Sequence, residues 1–222
     1  MYVLHFTPDT AAMAVRVVLE DLGLPYSARL IDRAAGELAS PAYRAMQPLG
    51  KIPALETPDG VMFETAAILL WLADRHAPGR LAPAPDSAER AAFLSWFFFT
   101  STNLHPAVLE LHYPDRIAGP QAVAALLPLA ARRARDALDA LERRAATAPG
   151  WLSPDRPTLL ALYVGMLMRW LGQLPEDHPA QFPAAGWPAL CAALARTEAW
   201  PAVLRVAEAE ELGPTVFTAP AC

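Results

Sequence analysis

The chain has 222 residues and a mass of 24.0 kDa, room for one large domain or two small ones, which excludes a peptide hormone, a collagen-like fibre and a large multi-domain machine. Hydrophobic residues make up 54% and charged residues 18%, so the balance that keeps chains disordered is absent. The net charge of -5, with arginines scattered among acidic residues, argues against a dedicated nucleic-acid or anionic-membrane surface and favours small molecules or proteins as partners.

Tyr2 to Phe6 reads as a strand that opens without the basic-then-apolar pattern of a secretory signal. Thr7-Pro8-Asp9-Thr10 carries turn and N-cap chemistry with Thr10 at the cap, and Val15, Val18, Leu19 and Leu22 then recur at helical spacing until Gly23. Tyr26 to Ile31 supplies a second strand and Glu37 to Met46 a polar helix. Ala54 to Thr57 and Val61 to Phe63 flank the turn Pro58-Asp59-Gly60, and Ala66, Leu69, Leu70 and Ala73 mark a helix running to His76. The order βαβαββα points to an α/β domain over residues 1–78. A linker over 79–87 follows, rich in proline, and an all-helical domain over 88–222.

In that second half, Phe93, Leu94, Trp96, Phe97, Phe98 and Phe99 predict a helix apolar nearly all round, either core alone or core plus a subunit or ligand surface. Leu127, Ala131, Ala134, Leu138 and Leu141 mark a long amphipathic helix, bent or restarted near its beginning by Pro128, with Arg132/Asp136, Arg135/Asp139 and Asp139/Arg143 spaced for pairing on its wet face. The apolar run Leu159 to Met168 is too short for a membrane span and reads as a buried helix; the last helix, from Pro188 to Arg205, is interrupted near Trp200-Pro201. Cys191 and Cys222 form no zinc or disulfide spacing, which fits a reducing, cytoplasmic setting, and the alanine-rich, lysine-poor composition points to a bacterium.

Two short segments carry chemistry. Gln47-Pro48-Leu49-Gly50-Lys51-Ile52-Pro53 ends in an X-Pro bond directly before a strand; a cis bond there exposes the Ile52 backbone to an extended peptide, whereas a trans proline merely starts a strand. Glu64-Thr65 sits where a helix begins, a place that favours a carboxylate ligand or, more simply, an N-cap.

Together, in this order of elements, these segments closely resemble the cytosolic glutathione transferases. That family's thioredoxin-like domain carries N-P-x-G-x-V-P followed by E-S. The resemblance implies a thioredoxin-like domain, an all-helical bundle, a homodimer, and glutathione as co-substrate without a metal. It implies that Ile52 pairs with glutathione's cysteinyl backbone next to Lys51, that Pro53 is cis, and that Glu64 and Thr65 hold the γ-glutamyl end. Trp96-Phe-Phe-Phe-Thr-Ser-Thr-Asn-Leu-His105-Pro106 looks like the bacterial beta-class segment W-x-N-F-x-x-x-x-x-H-K, with His105 on the active-site histidine, Phe98 in place of its Asn and Pro106 in place of its Lys. Thr158-Leu-Leu-Ala161 resembles the family's capping box without its Asp.

The departure concerns the sulfur. Where the beta class has Cys then Ser, this chain has Ala11 and Ala12, leaving Thr10 or the backbone N–H groups of the first helix to lower the pKa of the thiol. The expected activity is glutathione conjugation to a small hydrophobic electrophile, with Thr10 and His105 catalytic and Phe98 and Tyr113 lining an apolar pocket. The alternative is a non-catalytic glutathione-binding or protein-interaction module.

Overall fold

The computed structural model describes residues 1–220; Cys222 lies outside them. Four strands, β1 (Tyr2–Phe6), β2 (Tyr26–Leu30), β3 (Ala54–Thr57) and β4 (Gly60–Phe63), form one sheet in the order β2-β1-β3-β4. β1 runs parallel to β2 and antiparallel to β3, which pairs antiparallel with β4. The parallel pair requires a crossover, and helix α1 (Ala12–Asp21) supplies it. Its apolar residues from Val15 to Leu19, apart from Arg16, are fully buried against the sheet and the helical half.

α1 begins one residue later than the hydroxyl predicts. Its N-cap is Ala11, in a helical conformation and without a side-chain cap, while the Thr10 hydroxyl donates backwards to the Thr7 carbonyl at 2.6 Å. The polar helix expected over 37–46 divides into a 3-10 turn, Glu37–Ala39, and α2 (Pro41–Met46). Ser40 is the reason: extended itself, it accepts the Tyr43 N–H at 3.1 Å and caps α2. α3 (Thr65–His76) closes the sheet-bearing half.

The remaining helices are α4 (Arg90–Phe99), α5 (His105–His112), α6 (Pro114–Ala118), α7 (Val123–Ala145), α8 (Leu159–Gly172), α9 (Pro188–Glu198) and α10 (Pro201–Ala209). α8 is the axis of this half: Leu159 to Arg169 are all buried, and the Thr158 hydroxyl caps it by accepting the Ala161 N–H at 3.2 Å. At Gly165 a Cβ would fall 2.9 Å from the Phe217 ring, so glycine is what lets the tail lie against α8. α7 contains Pro128 and stays one helix, as a proline near the N-terminus can. Two of its predicted surface pairs are replaced: Arg135 lies over the Phe182 ring and Asp139 accepts the Trp187 indole N–H at 2.7 Å, because the segment leading to α9 covers that face. Among the described residues, no helix is long and apolar enough to cross a membrane.

Candidate functional site

The loop before β3 is stitched by one side chain. Gln47, nearly fully buried, accepts the N–H groups of Leu49 at 2.8 Å and Lys51 at 2.9 Å through its amide oxygen, and Tyr43 donates to the Lys51 carbonyl at 2.8 Å. Gly50 has φ 62°, and a Cβ there would run into the Leu38 carbonyl, so the turn admits glycine alone. The Ile52–Pro53 bond is cis, Pro53 is buried, and the ladder begins only at Ala54. The Ile52 backbone therefore stands outside the sheet next to the exposed Lys51.

Across β3 and β4, Glu64 takes φ 70° and starts α3, its carbonyl accepting the Ile68 N–H at 3.0 Å. Its carboxylate is exposed and does not cap the helix. Thr65, 5% exposed at the first helical position, has no hydrogen-bond partner for its hydroxyl among the described residues. It stands beside the free N–H groups of the first turn, where the helix dipole is most positive.

At the start of α1, Met13 N–H bonds the Thr10 carbonyl at 2.9 Å, while the N–H groups of Ala11 and Ala12 have no partner among the described residues. The helical half holds this end in place. Arg169, 3% exposed, donates two 2.8 Å bonds to the Asp9 carboxylate and two longer ones to the carbonyls of Leu212 and Val216. Gln173 donates to Asp9 at 2.9 Å, and Glu210 accepts the Asp9 N–H at 3.0 Å and the Arg16 guanidinium at 3.1 Å. Burial works to raise the Asp9 carboxyl, but the bonds from Arg169 and Gln173 and the Arg169 charge outweigh it and hold it below its ordinary value. Burial pushes Glu210 the other way.

His105 stands at the N-terminus of α5, straight after a π-helical turn, Thr100–Leu104. The cause is local: Thr100, Ser101, Thr102 and Asn103 side chains bond back to the carbonyls of Trp96, Phe98 and Phe99, competing with the α-helical ladder. His105 Nδ1 and the Tyr163 hydroxyl oxygen lie 2.8 Å apart, with the rings edge-on. Burial, reinforced by the Lys51 ammonium, drives the His105 imidazole down to about 4, so it is neutral at physiological pH. Burial and the Glu64 carboxylate raise Tyr163. These two fields tie Lys51 and Glu64 of the sheet-bearing half to His105 and Tyr163 of the helical half.

Not every expected residue joins them. Tyr113 caps the far end of α5, which at 1.5 Å per residue is about 12 Å from His105, and its ring contacts are His112 and Arg116. Phe98 is 45% exposed and touches the Phe97 ring. Tyr163, Asp9 and Arg169 were not singled out by sequence. A polar residue inside an otherwise apolar run was the available signal for Tyr163 and Arg169. Two concavities, one between the end of α8 and Phe217–Pro220 and one beside Trp187, touch none of Ile52, Thr65 and His105. Among the described residues, no cluster of three His, Cys, Asp or Glu could hold a metal ion.

Residues 11–75 match the family model of the glutathione S-transferase N-terminal domain. A glutathione S-transferase 3 of Schizosaccharomyces pombe is 34% identical over 116 residues, 52% of this chain and 47% of that protein. Glutathione S-transferase GST-4.5 of Xanthomonas campestris is 27% identical over 177 residues, 78% of this chain and 84% of that one. The match spans about half the length of the first curated relatives. A sphingomonad glutathione S-transferase, solved in complex with glutathione, superposes with a TM-score of 0.75 at 27% identity, covering 95% of this chain and 100% of that one. With its βαβαββα domain, cis proline before β3 and helical second half, the chain has the fold of that glutathione S-transferase and carries a glutathione S-transferase N-terminal domain over residues 11–75.

Proposed function

We propose that this protein is a glutathione transferase that conjugates the glutathione thiolate to a small hydrophobic electrophile. The observation that carries the reading is the pairing of an unladdered Ile52 backbone with a nearly buried, unpartnered Thr65 hydroxyl at a helix N-terminus. The first suits the extended cysteinyl backbone and the second the γ-glutamyl carboxylate, with Glu64 exposed to meet the α-amino group and Lys51 beside the strand. The thiol then lies toward the start of α1, where the N–H groups of Ala11 and Ala12 are the free donors and the Thr10 hydroxyl becomes one on leaving the Thr7 carbonyl. In conjugation the sulfur lone pair forms the S–C bond while the electrophile loses its leaving group with the bonding pair or shifts a π pair onto a neighbouring atom.

His105 sits on the helical side of this site, and Phe98 and Tyr113 belong to the same half as candidate pocket residues. The polar positions of the beta class replaced by Phe98 and Pro106 support an apolar pocket without making this chain a member of that class. A homodimer is part of the proposal: Phe98 on α4 and Val61 and Phe63 on β4 leave large apolar side chains exposed. Retention on immobilised glutathione, calorimetric titration with glutathione and conjugation of a generic aryl halide test the reading together. Binding with no conjugation of any electrophile would assign the chain to the non-catalytic alternative, and no binding would overturn both.

A further inference from the structure

We infer that Tyr163 is a positioning residue that fixes His105 as the neutral tautomer with its proton on Nε2, so that the ring acts as a hydrogen-bond donor to an anionic acceptor and not as a base. The inference rests on the proposed transferase reading for its ligand, but its geometry stands apart from it.

A phenol that is 2% exposed must place its proton somewhere. Among the described residues, its one hydrogen-bond partner is His105 Nδ1, at 2.8 Å. A neutral imidazole has one donor and one acceptor nitrogen, and donation from Tyr163 makes Nδ1 the acceptor and Nε2 the N–H. The ring cannot turn over freely, being held edge-on to Tyr163 at 5.7 Å and against Trp170 at 5.6 Å between centroids. Nε2 has no protein partner and is not a sealed, unsatisfied atom among the described residues, so it opens to solvent. The charges that face the pair, Lys51 toward His105 and Glu64 toward Tyr163, disfavour the imidazolium and the phenolate respectively. Both leave the neutral donor chain Tyr O–H to Nδ1, with Nε2–H pointing outward.

The chemistry such a donor recognises is an atom gaining negative charge: the thiolate sulfur, or an oxygen on the electrophile. With an α,β-unsaturated carbonyl, the S–C bond forms at the β carbon, the π pair moves to give an enolate oxygen, and water later protonates the α carbon. Nε2–H would stabilise that oxygen without losing its proton.

Nitrogen-15 NMR of histidine-labelled full-length protein reads the tautomer directly, with His105→Gln used to assign the resonance among the 5 histidines. The expected result is a protonated Nε2 and an unprotonated Nδ1 from pH 6 to 8, changing to a tautomer mixture in Tyr163→Phe. An Nδ1–H ring, a cationic ring at neutral pH, or an unchanged tautomer in Tyr163→Phe would overturn the inference. In kinetics, Tyr163→Phe should lower kcat about ten-fold with the KM for glutathione little changed, the signature of an interaction made in the transition state. His105→Gln, which keeps an N–H, should retain more rate than His105→Ala; equal loss in both would also overturn it. If the pKa of bound glutathione rises in Tyr163→Phe the acceptor is the sulfur; if only the enone rate falls relative to an aryl chloride, it is the electrophile's oxygen. Neither change refutes the donor role. Failure to bind glutathione would sink the transferase reading and leave the NMR result standing by itself.

Discussion

Replacing Arg169 by Met tests how the two halves hold each other. The substitution keeps an unbranched apolar stem of similar length and deletes two 2.8 Å charge-assisted bonds to Asp9 together with the donors to the Leu212 and Val216 carbonyls. Removing one partner of a buried ion pair costs about 3–5 kcal/mol, chiefly because the other charge is left unpaired. Here the Asp9 side chain is 30% exposed and keeps its bond from Gln173, so water recovers part of that loss and the lower end, about 3 kcal/mol, is expected. For a chain of this size that corresponds to a fall in melting temperature of about 6–12 °C. Urea unfolding of Arg169→Met, Asp9→Asn and the double variant gives the pairwise coupling, which should exceed 1 kcal/mol. The pH dependence carries a second check. Because the folded Asp9 carboxyl lies below its ordinary value, its contribution is fully present above about pH 4 and is lost as pH falls through the folded value. Arg169→Met should lack that acid-side loss. A destabilisation below about 1 kcal/mol with purely additive effects would refute the argument that this pair anchors the start of α1.

Thr65→Ala should weaken glutathione by about 1–3 kcal/mol through one lost buried hydrogen bond, and unchanged affinity by calorimetry would remove Thr65 from the site. For Thr10→Val, two outcomes separate in an ultraviolet thiolate titration: a pKa of bound glutathione climbing toward the free value if the hydroxyl leaves the Thr7 carbonyl for the sulfur, or an unchanged pKa if backbone N–H groups suffice. Gly50→Ala should cost more than about 1 kcal/mol in thermal unfolding, since the positive φ and the approach of the Leu38 carbonyl both resist a Cβ. Sedimentation at micromolar concentration should give twice 24.0 kDa, and a 24.0 kDa particle would contradict the dimer.

The first half was legible because its elements are short, separated by Gly and Pro punctuation, and patterned on one face: β1 and β3 match their expected limits, and β2 falls short of its expected end by one residue. The break at Trp200-Pro201 was signalled by the proline alone, which cannot continue a helix but readily begins α10. Elements set by side chains competing with the backbone were harder to read. Ser40 splits a helix that hydrophobic spacing alone would continue, and the Thr100 to Asn103 run widens one into a π turn. Thr10 was expected to cap α1, yet its hydroxyl turns back to Thr7, an alternative that composition cannot distinguish. The Asp9–Arg169 and His105–Tyr163 pairs lie 160 and 58 positions apart, so nothing local announces them. Tyr163 and Arg169 are visible only as polar residues in an apolar run, Asp9 only as part of a turn, and His105 only through its resemblance to the beta-class segment.

The hold of Arg169, Gln173 and Glu210 on the loop before α1 bears on recombination between relatives. A chimera that joins this sheet-bearing half to another member's helices would carry Asp9 at its positive φ but lose the three side chains that hold it there. Such a hybrid could fold both halves and still present a loosened α1 terminus at the proposed glutathione site. Grafting Arg169, Gln173 and Glu210 with the donor half should restore it, so the unit that travels intact is this four-residue junction and not the domain.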